Sequence, residues 1–204
     1  MSTRDLHERF LKRASQLARE RPPRIETPRL SLVVLLPEEI RALIDGDTAR
    51  ASSLAGVTFP PDWPEDDARG GLPWHLGHLE ADARHRPWRI RVVVERASGV
   101  VVGSINLKGP PDADGDVEIG WGISQPWRRR GYALEAVLAV IDWAAGQPGT
   151  TTLSATIDDA NAASQRLAAK VGFSRTDRLR RQLPLWCRGA LGPGESVEVR
   201  EFKS

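Results

Sequence analysis

The chain has 204 residues, 40% of them hydrophobic, which suits one domain with a core of its own. Its 29 basic and 27 acidic residues nearly cancel, so charge gives no argument for a nucleic-acid partner. The lone cysteine, Cys187, forbids an internal disulfide and fits a reducing compartment.

The only lysines are Lys12, Lys108, Lys170 and Lys203, so the positive charge is almost all arginine. With the abundant alanine, this reads as genomic base-composition bias. No signal peptide, transmembrane run or lipidation motif is legible, so a cytoplasmic protein with no membrane partner is expected.

Residues 2–20 predict an amphipathic helix, with Leu6, Phe10, Ala14 and Leu17 on one face. Arg21-Pro22-Pro23 ends it, which divides the chain into a helical extension (residues 1–21) and one domain (residues 22–204). Packing on the domain is the plain reading; a dimer contact or a wall of a binding site is the alternative, and monomer and homodimer both stay open. Ile25-Glu26-Thr27-Pro28-Arg29-Leu30 then leads into a buried strand over residues 31–36. Pro37 opens a short helix through Leu43.

Between residues 51 and 87 the pattern is weak. Phe59-Pro60-Pro61-Asp62-Trp63-Pro64 is loop-like, and residues 72–83 predict a helix carrying Trp74. His75 and His78 are an i, i+3 pair, yet no cysteine or carboxylate at metal-ligand spacing accompanies them, so core or surface histidines and no metal are expected. Residues 88–95 and 100–107 predict two strands rich in Val and Ile, joined as a hairpin by Arg96-Ala97-Ser98-Gly99.

Residues 116–145, DVEIGWGISQPWRRRGYALEAVLAVIDWAA, organise the rest. Val117, Ile119, Trp121 and Ile123 alternate at the strand period, which leaves Glu118, Gly120 and Gly122 on the opposite face. Two glycines leave that face bare, open to another backbone or a ligand chain. Arg128-Arg129-Arg130-Gly131 then turns into a largely apolar, buried helix from Tyr132. Such a turn offers unpaired backbone N–H groups at the positive end of a helix dipole, a site for phosphate. It fits neither the P-loop nor the dinucleotide GxGxxG pattern. Further on, residues 151–157 predict a strand, Asn161 or Asp159 caps a helix reaching Val171, and Gly172 closes it. Residues 181–187 and 197–202 predict closing strands around a loop over 189–194.

Arg128-Arg129-Arg130-Gly131-Tyr132-Ala133 resembles the Gln/Arg-x-x-Gly-x-Gly/Ala signature of the GCN5-related N-acetyltransferase (GNAT) superfamily. Glu118-Ile119-Gly120-Trp121, Gly131-Tyr132-Ala133-Leu134-Glu135-Ala136 and the opening Glu26-Thr27-x-Arg29-Leu30 are similar to its ribosomal-protein N-terminal acetyltransferase branch. Asn161-x-x-Ser164, with Lys170-x-Gly172-Phe173, looks like the family's downstream block. The resemblance spans residues 25–186. It implies an α+β fold: a central, mostly antiparallel sheet flanked by helices. It implies acetyl-CoA as cosubstrate, no metal and no nucleic acid, and an amine acceptor, either a peptide or protein N-terminus or a small molecule. The alternative is a catalytically weak acyl-CoA-binding sensor or structural homologue.

By that resemblance Arg128, Arg129, Arg130, Gly131, Tyr132 and Ala133 hold the pyrophosphate, and the backbone of Trp121, Gly122 and Ile123 faces the thioester oxygen. Asn161 contacts the pantetheine arm, and Ser164 lies near the sulfur. The plain alternatives are a solvated basic loop for the arginines and a helix cap for Asn161 and Ser164. Glu118 is the candidate catalytic base, with positioning of the acceptor as its rival role; Ser164 is the candidate proton donor. Two positions depart from the family pattern. Arg129 stands where close relatives often have Gly, and Ala168 stands where many carry an acidic Tyr. Trp63 and Trp74 line the acceptor pocket or simply pack, and Cys187 is read as structural.

Overall fold

The structure, a computed structural model, describes residues 21–64 and 66–189. The elements are β1 (Ile25–Glu26), β2 (Leu30–Val34), α1 (Pro37–Ile44), α2 (Thr48–Ala55) and α3 (Asp66–Ala81). A 3-10 turn (Ala83–Trp88), β3 (Arg91–Glu95), β4 (Val100–Leu107) and β5 (Asp116–Ile123) follow. Then come α4 (Tyr132–Ala145), β6 (Thr152–Thr156), α5 (Ala162–Lys170), β7 (Ser174–Arg180) and β8 (Leu183–Gly189).

All eight strands form one sheet in the order β1-β2-β3-β4-β5-β6-β8-β7. Every neighbouring pair is antiparallel except β5 and β6. The mixed α+β architecture expected from the sequence is therefore the one observed.

Strand alternation divides the core between the two faces of the sheet. Leu30 and Leu32 of β2, Val93, Ile105, Leu107, Val117 and Ile119 share one cluster with Ala136, Val137, Val140 and Ile141 of α4. Their neighbours Val33, Val92, Val94 and Val101 point the other way and pack with Ile40, Leu43, Ala51, Leu72 and Leu79 from α1 to α3. The central helix is thus wedged on one face, while the face of Glu118, Gly120 and Gly122 looks toward the α1–α3 layer.

Several expectations need correction. The weakly patterned stretch holds two helices, α2 and α3. The second runs from Asp66, earlier than the apolar period suggested, with Pro73 inside it. Residues 88–90 precede β3 because the chain is still in the 3-10 turn at Trp88. The predicted strand over 181–187 begins two residues later. Arg181 and Gln182, with φ of 52° and 65°, form the turn between β7 and β8. The edge strand β7, SRTDRLR, escapes a hydrophobic reading because almost all of it is exposed. The predicted helix over residues 2–20 and the strand over 197–202 lie outside the described residues.

Ile141 is fully buried in the α4 cluster, whereas Leu179 on the edge strand is 67% exposed. Ile141→Ala is expected to lower stability by about 2–5 kcal/mol and Leu179→Ala by less than about 0.5 kcal/mol. Urea denaturation of both variants checks the difference.

Candidate active site

The site begins where β5 changes partners. Asp116, Val117 and Glu118 pair with Thr152, Leu153 and Ser154 of β6. From Ile119 to Ile123 the strand pairs with β4 instead. The Lys108 N–H donates to the Glu118 carbonyl at 2.9 Å, so the even-numbered residues face β4 in the hydrogen-bonding plane. The backbone groups of Ile119, Trp121 and Ile123 consequently point toward the opening beside β6. Arg128 Nε takes the Ile123 carbonyl at 2.7 Å.

Helices α4 and α5 both follow strands of the parallel pair, so both N-termini lie at its carboxyl ends. That is where open α/β sheets bind ligands. Gly131 caps α4 at φ 81°, and Arg129 also has a positive φ of 64°. A side chain at 131 would meet only Arg29 Nη2, at 3.3 Å, so the turn is open apart from that guanidinium. Arg130 stacks on Trp127 at 4.9 Å. Asn161 caps α5 by accepting from the Ser164 N–H at 3.0 Å. That cap uses only Oδ1, so the amide nitrogen is not spent on it. Ala168 is fully buried; a side chain there points into the core.

Sequence reading missed what braces this turn. Glu135, in the first turn of α4, accepts from Thr27 Oγ1 at 2.6 Å, from the Arg29 N–H at 2.9 Å and from Arg29 Nε at 2.7 Å. Burial pushes the Glu135 carboxyl up, but these donors outweigh it and hold it below its usual range. Arg29 also donates to the Arg130 carbonyl at 2.9 Å and lies 4.8 Å over the Tyr132 ring. The hydroxyl of Tyr132 donates to Glu95 at 2.7 Å, which raises its pKa. The Glu-Thr-x-Arg-Leu opening therefore fastens β2 to the α4 turn.

On the glycine face, side chains at Gly120 and Gly122 would meet nothing within 4 Å. Next to them Glu118 is 8% exposed and both its oxygens are engaged. Arg180 Nη1 donates to Oε2 at 3.1 Å, Thr156 Oγ1 reaches Oε1 at 3.3 Å, and Arg181 pairs with the same Oε1. Arg180 also bonds Asp116 and Ser154, both at 3.0 Å. The β7–β8 tip is thus tied down over the carboxyl end of the parallel pair.

A cavity of about 130 Å³ opens on this face between β4, β5 and the segment before α3. Trp63, Ser104, Asn106, Trp121, Gly122 and Arg128 line it. Asn106 Oδ1 is buried without a hydrogen-bond partner. This residue, paired with Gly120 across the ladder, gave no signal in the sequence.

Trp74 is 40% exposed, with Arg89 4.7 Å and Lys108 5.3 Å over its ring. His75, 1% exposed, is driven down to a pKa of about 3, by burial first and then by Lys108, Arg89 and His78. No group of three His, Cys, Asp or Glu side chains is arranged for a metal among the described residues. Burial raises the Cys187 thiol, which disfavours the thiolate a covalent carrier would need. No described helix is long and apolar enough to cross a membrane.

A profile described as the acetyltransferase (GNAT) domain matches residues 29–174. The chain is 28% identical over 149 residues to the uncharacterized N-acetyltransferase YjdG of Bacillus subtilis, covering 73% of this chain and 88% of that one. Solved structures share the fold. Mycobacterium smegmatis RimJ in complex with CoA-disulfide superposes with a TM-score of 0.57 at 21% identity, over 82% of this chain and 85% of that one. The ribosomal-protein-S5-alanine acetyltransferase of Vibrio fischeri gives 0.58 at 14% identity, over 83% and 97%.

His75 binds its proton more weakly folded than unfolded, so the unfolded state takes up the extra proton as pH falls. Its penalty is absent above pH 6.5 and grows between pH 6.5 and about 3. His75→Leu is expected to flatten the fall of stability across that window, by up to about 1.4 kcal/mol per pH unit. Urea titrations at pH 7.5, 5.5 and 4.5 measure it; parallel curves for both proteins contradict it.

Proposed function

Because the chain belongs to the acetyltransferase (GNAT) family, we propose that it moves the acetyl group of acetyl-CoA onto the α-amine of a peptide N-terminus or small molecule. The observation that carries this reading is the change of partner along β5. It leaves backbone donors of Trp121 and Ile123 facing an opening flanked by two helix N-termini. The turn over Arg128, Arg129, Arg130, Gly131, Tyr132 and Ala133 suits the pyrophosphate, since Gly131 admits close approach and the N–H groups of α4 favour an anion. Asn161 and Ser164 suit the pantetheine arm on the β6 side.

In the reaction the amine lone pair attacks the thioester carbonyl and the C–N bond forms. The oxyanion takes hydrogen bonds from the Trp121–Ile123 backbone. The C–S bond then breaks, the amine proton passes to solvent, and the thiolate takes a proton from solvent, directly or through Ser164, which solvent reprotonates. Glu118 is read as a positioning residue, since Arg180, Arg181 and Thr156 already engage its oxygens. An α-amine with a pKa of about 8 is roughly one-tenth neutral at pH 7, against about one in 2,500 for a lysine-like amine. A site whose carboxylate is committed elsewhere therefore suits the α-amine. A second reading, a catalytically weak acyl-CoA sensor, draws on the same commitment of Glu118 and on the buried Ala168. Steady thiol release with an amine panel separates the two; its absence favours the sensor.

Two measurements test the site. Ala133→Glu sets a carboxylate at the α4 N-terminus without the positive φ that strains Gly131→Glu. Both are expected to weaken acetyl-CoA binding at least about 100-fold by calorimetry, roughly 2.7 kcal/mol. Wild-type affinity in a folded Ala133→Glu variant contradicts the assignment. Glu118→Gln is expected to raise the acceptor KM about tenfold or more, with kcat within about threefold and acetyl-CoA affinity retained. A kcat loss of about 10²–10⁴-fold with a flattened acidic limb would instead make Glu118 the base.

A further inference from the structure

The acceptor side of β5 carries more positive charge than its neighbours neutralise. Lys108 sits opposite Glu118 across the ladder, its N–H on the Glu118 carbonyl. Its ammonium lies over Trp74, and Arg89 lies over the same ring. Arg89 spends Nη1 on the Lys108 carbonyl at 2.7 Å and Nη2 on His85 Nδ1 at 2.9 Å, and its buried Nε has no partner. Neither cation forms an ion pair with a carboxylate among the described residues. The carboxylate within Coulombic reach of Lys108 is Glu118, which Arg180 and Arg181 already hold. Arg180 and Arg181 are matched by Asp116, Glu118 and, at longer range, Asp112, whereas Lys108 and Arg89 have no carboxylate of their own.

Like charges gathered in a half-buried site repel unless a counter-charge joins them. The depressed pKa values of Lys108, His75 and His85 follow from burial in the first place. Lys108 and Arg89 add to the lowering at His75, and Arg89 adds to it at His85. Trp74 is 40% exposed and Lys108 only half-buried, so the cluster is open to a ligand.

Resting on the acetyl-transfer reading above, we propose that Lys108, backed by the charge of the buried Arg89 and held on Trp74, forms a subsite for an anionic group carried by the acceptor, one or two residues beyond the amine that is acetylated. Acidic N-terminal peptides are then the preferred substrate class, and multiply cationic amines such as polyamines and aminoglycosides are rejected. The same field favours the neutral form of the incoming amine, which is the form that attacks. Trp74, whose ring carries both cations, holds them in place beside the acceptor path.

The test uses three matched tetrapeptides with free N-termini, Ala-Asp-Asp-Ala, Ala-Gln-Gln-Ala and Ala-Lys-Lys-Ala. Their affinity for the CoA-loaded protein is measured by calorimetry and their turnover by thiol release. The Asp peptide is expected to bind at least about tenfold tighter than the Gln peptide, and the Lys peptide weakest, with the spread narrowing at high salt. In Lys108→Met the Asp preference collapses toward one, and in Lys108→Glu the order inverts. Equal binding of the three peptides by wild type, or an Asp preference untouched in both variants, overturns the subsite. Ordered binding without any thiol release upholds the subsite and counts against acetyl transfer, so the two readings fail separately.

Discussion

The fold depends on one strand serving two partners in turn. Up to Glu118, β5 is paired with β6 on one side while Lys108 and Asp112 bond it on the other; from Ile119 it is paired with β4 alone. A strand that kept both partners along its length would have no backbone donors to offer a ligand. A strand that lost both would have no fixed geometry. The apolar residues Val117, Ile119 and Ile123 hold β5 against α4 on one face through the change. The opposite face can therefore be left to two glycines and one carboxylate without cost to the core.

Around that opening the charges do structural work in two distinct places. At the α4 turn, Glu135 gathers the β2 opening segment, and Arg29 reaches on to the Arg130 carbonyl. The turn is thereby held in shape, which would lower the ordering cost of the anion binding proposed there. At the carboxyl end of the parallel pair, Arg180 bridges Asp116, Glu118 and Ser154, fixing the β7–β8 tip. Breaking such a buried pair from one side strands the other charge, a loss of roughly 3–5 kcal/mol when the burial is complete. Arg180 is 30% exposed, so screening reduces that figure here.

The parts legible in the sequence were those with a period or a named turn. The alternation of Val117 to Ile123, the apolar α4 and the hairpin around Gly99 all appear where expected. The cap at Asn161 was legible too, because its side chain satisfies a local N–H. What escaped depends on contacts distant in sequence. Asn106 became visible only once the register set it beside Gly120. Arg180 and Arg181 lie more than sixty residues from Glu118, at the end of a polar edge strand and in the turn after it, which no apolar pattern marks. The turn at Arg181-Gln182 carries neither Gly nor Asn, the residues that normally announce a two-residue hairpin. Helix α3 hid its start because Gly70 and Gly71 weaken any helical reading there.

On the proposed reading, the cosubstrate enters between β5 and β6 and bonds the edge of β5 left unpaired after Glu118. Amide hydrogen exchange with and without CoA measures it residue by residue. Slowed exchange at Trp121, Ile123 and the first turn of α4, with β2 and β3 unchanged, is the predicted result. Protection confined to other segments, or none at Trp121 and Ile123 under saturating CoA, would contradict it.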